Sequence, residues 1–250
     1  AIAFDLTGAQ PLAWAFPQTR DDSLYRASEV FFRNAQTNGL LLEVRERFYG
    51  HLGQLNYVGA KRFKRQTAKK LDKFDHLFQQ AAERHNLDWR LLAAMSYQES
   101  HWNPDAISPT GVKGLMMLTH KAAIDVGVTD RTDIMQSLKG GIDYFRKMAN
   151  KIPQRIEEPD RTLLALAAYN VGYGHLEDAR ILTQRNGKNP DLWQDVSLFL
   201  PKLNNQATAQ TLRYGIADGK TAVTYVENIM TYKQLLQWKE QKGSWNKPPN

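Results

Sequence analysis

The chain has 250 residues, of which 42% are hydrophobic and 24% charged, a composition typical of a globular protein with one large domain or two modest ones. It contains no cysteine, which excludes disulfides, thiolate metal sites and a cysteine nucleophile. Its formal net charge of +7 indicates an anionic partner such as nucleic acid, a membrane surface or an anionic cell-wall polymer, or else serves only solubility.

The N-terminal segment, residues 1–55, is predicted to mix strand and helix. Residues 11–17, PLAWAFP, alternate well enough to predict a strand bounded by prolines. An amphipathic helix is predicted over 22–39 and a second short helix over 40–50. No stretch has the apolar length of a membrane span, and no signal peptide is recognisable. Because it begins at Ala1 in strand-like sequence, the chain is expected to be a fragment or a processed product.

The rest of the chain is predicted to consist of a basic segment, a long helical region and a polar tail. Residues 56–70 are basic, with interleaved aromatic residues and no clean apolar face, which predicts a linker or basic surface segment rather than a nucleic-acid site. From 71 to 240 the apolar residues recur at helical spacing, which predicts an all-α domain of about seven or eight helices. Asp88 and Thr119 are predicted helix N-caps. Residues 241–250 are polar and predict a loose tail.

Several chemistries lack the residues that they need. The six histidines form no H-x-x-x-H or H-E-x-x-H pair, and the acidic clusters lack the spacing of a calcium loop. There is neither a G-x-S-x-G nucleophile elbow nor a G-K-[ST] phosphate loop. Metal, acyl-transfer and nucleotide chemistry are therefore unsupported, and no cofactor is expected.

One carboxylate, Glu99, falls at the end of a run that otherwise predicts a buried helix. Leu91, Met95 and Glu99 are spaced at i, i+4 and i+8, which puts them on one helix face. Desolvation on such a face favours the neutral acid, and an acid held neutral near pH 7 can protonate the leaving oxygen of a glycosidic bond. The alternative is a helix-end glutamate that turns to water or pairs with an arginine.

Glu99 opens a series of four ordered motifs. They are Glu99-Ser100; Ser108 and Gly111 with Gly114-Leu115-Met116; Ala168-Tyr169-Asn170 with Gly172; and Tyr225-Val226 with Ile229. In this order, the series resembles the goose-type-lysozyme-like lytic transglycosylases of bacterial cell-wall turnover, over roughly residues 75–235. Met117 stands where many relatives have glutamine, and the run GLMML is similar to a membrane-bound branch of the family.

The resemblance implies a mainly α fold, with a lysozyme-like all-helical catalytic domain over 71–240. That branch carries a periplasmic solute-binding-like module before the catalytic domain. Residues 1–55 are accordingly interpreted as a small α/β remnant of this regulatory module, 56–70 as a basic linker and 241–250 as a loose tail. The implied location is the periplasm, with the full-length protein tethered to the outer membrane although this chain has no transmembrane segment. Peptidoglycan glycan strands are the implied partner, nucleic acid is not, and a small ligand or muropeptide is a candidate for the regulatory module.

The resemblance also assigns the site by position. Glu99 is implied to be the catalytic acid, and Tyr225 is implied to hydrogen-bond its carboxylate. The implied substrate-binding residues are Ser108, Gly114, Met116, Met117, Tyr169, Asn170 and Tyr225. For the two methionines, plain core packing is the competing explanation, and it is favoured for one of them.

The number of acids bears on the reaction. Hydrolysis by the usual routes needs two acids, and Asp105, in a turn-like stretch, is the only second acid near Glu99 in the motif region. The resemblance supplies another nucleophile, the C6 hydroxyl of the substrate, so that Glu99 acts as acid and then as base. The implied reaction cleaves the β-1,4 bond between N-acetylmuramic acid and N-acetylglucosamine and gives a 1,6-anhydro product. A lysozyme-type hydrolase and a non-catalytic wall-binding module stay open as alternatives.

Overall fold

A computed structural model of the chain describes Phe16 and residues 21–37, 40–41 and 57–242. Within these residues the regular structure is helical, with no β-strand and only two isolated antiparallel bridges in one loop. The strand predicted over 11–17 falls outside the described residues except for Phe16. Most of the helix predicted over 40–50, and all of residues 243–250, also fall outside the described residues.

The described helices are numbered here in chain order. They are α1 Ser23–Thr37, α2 Tyr57–Gln66, α3 Asp72–Arg84, α4 Trp89–Ser100, α5 His120–Asp125, α6 Ile134–Lys151, α7 Asp160–Val171, α8 Tyr173–Arg185, α9 Trp193–Phe199, α10 Gln206–Ala209 and α11 Gly219–Lys242. A π-helical turn, Thr67–Leu71, joins α2 to α3, and a 3-10 turn, Leu200–Asn204, follows α9. The short α10 was not predicted, because four residues are too few to show a helical period.

The predicted caps fix the helices that flank the motif loop. The side chain of Asp88 accepts a hydrogen bond from the Arg90 N–H at 3.0 Å, and that of Thr119 accepts one from the Ala122 N–H at 3.0 Å. Each satisfies a backbone donor in the first turn of its helix. The two predicted N-caps are therefore confirmed, and they define where α4 and α5 begin.

Helix α4 runs through the centre of the core. Every residue from 91 to 97 is buried, so the helix is enclosed on all sides rather than amphipathic. It packs between α3 and α11, while α7 packs against α6, α8 and α11. His101 and Trp102 follow in the left-handed conformation, and the Trp102 indole N–H donates to the Ala93 carbonyl at 2.9 Å. This tight reversal fixes the end of α4, where Glu99 lies.

The segment predicted to be a linker or basic surface segment is helical from residue 57 onward and contributes buried residues to the core, while its role as a linker stays a prediction. Phe63, Thr67 and Leu71 are buried at intervals of four residues, and basic residues occupy much of the surface between them. The ring of Phe63 stacks on that of Tyr232 in α11, with 4.6 Å between ring centroids, and meets Tyr97 of α4 edge-on. The sequence did not predict this buried face, because three core positions in so basic a stretch are too few to form a recognisable apolar pattern. The domain boundaries themselves stay a prediction.

Helix α1 confirms that residues 23–37 are helical, but its predicted apolar face does not form a core. Leu24 is 67% exposed, Val30 55% and Phe31 49%. The interpretation of this segment as part of a solute-binding-like module stays a prediction. Over the described residues, none of the helices combines the length and apolar character that a membrane crossing requires.

The packing of α2 yields a stability test at Phe63. Replacing Phe63 with alanine should lower the free energy of unfolding by about 3–5 kcal/mol, because a fully buried aromatic side chain would leave a cavity. Urea denaturation measures the loss. The matched control is Phe31→Ala on the exposed face of α1, with an expected change of about 0.5 kcal/mol or less. Equal effects of the two substitutions would contradict the docking of α2.

Candidate active site

Glu99 lies in the last turn of α4 and is partly buried. Burial raises the pKa of its carboxyl to about 7, against an opposing hydrogen bond from Tyr225. A charged carboxylate loses hydration in such surroundings, so the protonated form is favoured. Near neutral pH this acid is therefore present in both protonation states.

The phenol of Tyr225 is the hydrogen-bond partner of Glu99. Its hydroxyl donates to the Glu99 Oε1 atom at 2.6 Å, across 126 residues of sequence. Tyr225 is only 4% exposed, and burial followed by the nearby Glu99 charge raises its pKa well above the usual range. The phenol therefore stays a donor, and the hydrogen bond predicted for this pair is confirmed.

Tyr169 of α7 adds a third side chain to this group. Its ring is nearly parallel to that of Tyr225, with 6.3 Å between centroids and 13° between planes. The ring of Tyr144 in α6 meets the Tyr169 ring edge-on. The pKa of Tyr169 is raised by burial and then by the Glu99 charge, and its hydroxyl donates to the Met116 carbonyl at 3.4 Å. The structure thus brings together predicted residues from α4, α7 and α11.

The loop that carries the G-L-M-M motif is held by residues to which the sequence assigned no role. Ser100, whose hydroxyl donates to the Leu115 carbonyl at 2.9 Å, ties the loop to α4. The hydroxyl of Ser137 in α6 accepts from the Met116 N–H at 3.1 Å, and Arg131 donates to the Leu118 carbonyl at 2.9 Å. Ser100 and Ser137 are buried, so a polar residue among apolar helix positions was the available signal.

The structure gives Gly114 and Met116 packing roles. Gly114 has a φ of +83°, and a Cβ atom there would lie 1.7 Å from the Arg131 carbonyl oxygen, so only glycine fits. The side chain of Met116 is fully buried against Gly141, which leaves its backbone as the part that can face the site. Met117 is partly exposed, with a φ of +45°. Core packing, favoured for one of the two methionines, therefore applies to Met116.

Ser108 and Asn170 are not bonded to the Glu99 group. The Ser108 hydroxyl closes its own turn by accepting from the Thr110 and Val112 N–H groups at 3.2 Å each. It is partly exposed, while Asn170, directly after Tyr169, is exposed. Asp105, the candidate second acid, is also exposed. None of the three has a hydrogen bond to Glu99 among the described residues, so their roles at the site stay predictions.

Comparison with known proteins agrees with this arrangement. Residues 76–192 match the family described as "Transglycosylase SLT domain". The match covers α4, the motif loop and α7, so it includes Glu99 and Tyr169, whereas Tyr225 lies beyond it.

The chain is similar over most of its length to proteins named membrane-bound lytic murein transglycosylase F. That of Saccharophagus degradans is 50% identical over 239 residues, which are 96% of this chain and 48% of the relative. That of Alcanivorax borkumensis is 53% identical over 230 residues, 92% of this chain and 49% of the relative. That of Marinobacter nauticus is 49% identical over 234 residues, which are 94% of this chain and 47% of the relative. The chain spans about half the length of these relatives.

The Tyr225 bond gives a prediction for the acid itself. Tyr225→Phe should raise the pKa of Glu99 above about 7, because it removes the Tyr225 hydrogen bond, which favours the ionised form. A hydrogen bond that contributes about 1.4 kcal/mol changes the pKa by roughly one pH unit. Carboxyl-carbon NMR titration reports the value. Tyr232→Phe, a buried tyrosine of the same helix that packs on Phe63, is the matched control. A fall in the pKa of Glu99 would contradict the assigned role of the bond.

The anchor at Ser100 gives a separate prediction. Ser100→Ala should lower the free energy of unfolding by about 1–2 kcal/mol, since the buried Leu115 carbonyl loses its shorter hydrogen bond. It should also speed hydrogen exchange at the neighbouring Met116 N–H, which native-state exchange measures. Ser197→Ala, whose hydroxyl bonds only within its own helix, is the control and should leave that amide unchanged. Unaltered exchange in Ser100→Ala would show that the loop does not depend on this anchor.

Proposed function

We propose that the chain cleaves the β-1,4 bond between N-acetylmuramic acid and N-acetylglucosamine in peptidoglycan without hydrolysis. The products would carry a 1,6-anhydromuramyl end. The observation that carries this proposal is a single carboxyl, Glu99, raised by burial to a pKa of about 7 and bonded to a buried phenol. The family of residues 76–192 and the names of the similar proteins support the same class of reaction.

In the first step, protonated Glu99 donates its proton to the glycosidic oxygen, and the bond from that oxygen to C1 of the muramic acid breaks. A pKa near 7 keeps a large fraction of the acid protonated at neutral pH. The proton leaves behind a carboxylate in a desolvated site. The Tyr225 hydroxyl, already 2.6 Å from Oε1, stabilises that carboxylate without any rearrangement.

In the second step, the Glu99 carboxylate takes the proton of the C6 hydroxyl, whose oxygen bonds to C1 of the same sugar. The ring closes, Glu99 is protonated again and no water is consumed. One acid is enough because the nucleophile belongs to the substrate. Among the described residues Asp105, the candidate second acid, makes no hydrogen bond to Glu99, and this scheme requires no second acid.

The remaining predicted residues would bind the glycan strand. Asn170 and Ser108 offer amide and hydroxyl groups to sugar substituents, while Tyr169 and the partly exposed Met117 offer apolar surface. Gly114 and Met116 would act by shaping the loop, the latter through a carbonyl that already accepts from Tyr169. These roles, like the catalytic one, belong to the proposal.

The proposal places the full-length protein in the periplasm, where peptidoglycan lies, with tethering to the outer membrane. The relatives are named membrane-bound murein transglycosylases, and the chain spans about half of their length. Residues 1–55 would belong to a solute-binding-like regulatory module that takes a small ligand or muropeptide. The net charge of +7 suits a polymer whose peptide stems carry carboxylates.

Digestion of purified sacculi with mass analysis of the soluble products tests the reaction type. Transglycosylation gives anhydro ends, whose mass is lower by one water than that of hydrolysis products. Anhydro ends are expected. Reducing ends would replace the proposal by a lysozyme-type hydrolase, and retention on sacculi without turnover would replace it by a wall-binding module.

The role of Glu99 can be tested by substitution. Glu99→Gln should lower the rate of glycan cleavage by about 10²–10⁴-fold, because glutamine keeps the shape of the side chain but cannot donate the proton. The matched control is Glu227→Gln, since Glu227 is on α11 and burial also raises the pKa of its carboxyl. That variant should keep a rate near the wild-type value. Retention of more than about a tenth of the rate by Glu99→Gln would remove Glu99 from the acid role.

A further inference from the structure

The positive charge of the chain is concentrated in one segment. Of the thirteen residues from 61 to 73, seven are lysine or arginine and one, Asp72, is acidic. This segment therefore carries +6 of the formal net charge of +7, and the rest of the chain is nearly neutral. Solubility is served by charges of both signs that are interspersed over the surface. A positive charge gathered in one place indicates an anionic partner instead.

Three of these cations form a basic row, Arg65, Lys69 and Lys73, along α2, the π-helical turn and α3. Each is exposed and follows a buried residue by two positions, so it lies nearly opposite the side that faces the core. In an α-helix, side chains four residues apart drift round the axis by about 40° at each step. The π-helical turn Thr67–Leu71 takes more residues per turn and offsets this drift. The row therefore stays on one face.

The charges of the basic row are not neutralised by the described part of the chain. No ion pair or hydrogen bond joins the side chains of Arg65, Lys69 and Lys73 to another described residue. Other surface cations do have acidic partners: Lys139 bonds Asp143 at 2.6 Å, and Lys147 bonds Asp125 at 2.9 Å. The row is thus available to an external anion along its whole length.

The aromatic residue at the centre of the basic segment is not available to a nucleic-acid base. Phe63 is fully buried, with its ring stacked on that of Tyr232 and edge-on to that of Tyr97. Sites for single-stranded nucleic acid combine cations with exposed aromatic rings on which bases stack. The outer face of this segment offers the cations without the rings.

The basic row also faces away from the Glu99 group. Tyr97 and Glu99 are two positions apart in α4, so their side chains leave the helix on nearly opposite sides. Helix α2 packs on the Tyr97 side through Phe63, and Arg65 lies on the far side of α2. A glycan strand bound at Glu99 therefore lies on the other side of α4 from the row, which leaves the row for a different partner.

We propose that the basic row is a docking surface for the phosphate head groups of an anionic phospholipid bilayer. Successive cations of the row lie about 6 Å apart along the helix, so all of them can rest on one flat surface. A fluid bilayer brings mobile phosphates to exposed, flexible side chains, and no preformed pocket is needed. Phe63 and Leu71 are buried in the core, so the contact is electrostatic and does not insert into the bilayer. It is independent of the reaction proposed for Glu99, and it turns the Glu99 side of α4 away from the membrane.

Co-sedimentation of the chain with lipid vesicles tests the proposal. Wild-type protein should bind phosphatidylcholine vesicles in which about a third of the lipid is phosphatidylglycerol, and should not bind phosphatidylcholine alone. Salt at about 1 M, which screens charges beyond about 3 Å, should release it. The triple variant Arg65→Gln/Lys69→Gln/Lys73→Gln should lower the partition coefficient about 100-fold, because each cation near an anionic surface contributes about fivefold.

The matched control is Lys121→Gln/Lys188→Gln/Lys202→Gln, which removes the same charge from exposed positions in other elements. It should keep a partition coefficient near the wild-type value. Equal losses in the two triple variants would overturn the inference, since binding would then follow net charge alone. Equal binding of wild-type protein to both kinds of vesicle, or to neither, would also overturn it, and these two results need no variant.

Purified peptidoglycan and duplex DNA are the competing anions. Retention on either that the row variant loses, without binding to the anionic vesicles, would assign the row to that polymer and overturn the proposal. Urea denaturation verifies that both variants are folded, as expected for exposed substitutions. Failure of the proposed reaction is a separate result, because digestion of sacculi would then give no anhydro ends while vesicle binding is unchanged.

Discussion

The burial of one carboxyl group, that of Glu99, is the constraint around which the described helices are arranged. Burial raises its pKa from 4.5 to about 7, which corresponds to roughly 3 kcal/mol between its two protonation states. Because the pKa of the folded state is the higher one, the stability that this group contributes is complete below about pH 4.5 and is lost as the pH rises through about 7. Burial of the carboxyl therefore costs stability near neutral pH, and the Tyr225 hydrogen bond reduces that cost.

The loop after α4 can accept few substitutions, because its residues pack closely against neighbouring elements. Gly114 has no room for a Cβ atom, Met116 fills the space beside Gly141, and Ser100 bonds the carbonyl of Leu115. Each of these positions is constrained by contacts with α4, with α6 or with the segment before α6. A motif that reads as a binding sequence is therefore largely a packing sequence, with Met117 as its partly exposed member.

Much of this arrangement follows from the sequence, and the exceptions share a physical cause. Helical spacing and caps such as Asp88 are local properties, so α4 could be predicted, and the order of the motifs was enough to pair Glu99 with Tyr225. The inward orientation of Met116 depends on α6, and the packing of Phe63 depends on α11. Neither contact is indicated by the neighbouring sequence. The anchor at Arg131 was missed for the same reason, whereas Ser137 left a signal as a polar residue among apolar helix positions.

The bond between Lys70 and His101 links the end of the basic helical segment to the turn that follows α4. The Lys70 ammonium donates to the His101 carbonyl at 3.1 Å, two residues beyond Glu99, while Phe63 is locked into the aromatic cluster with Tyr97. A rigid displacement of α2 would have to break that bond and shear the cluster. A displacement that kept the bond intact would move the turn that follows Glu99, because the Lys70 ammonium is bonded to the His101 carbonyl.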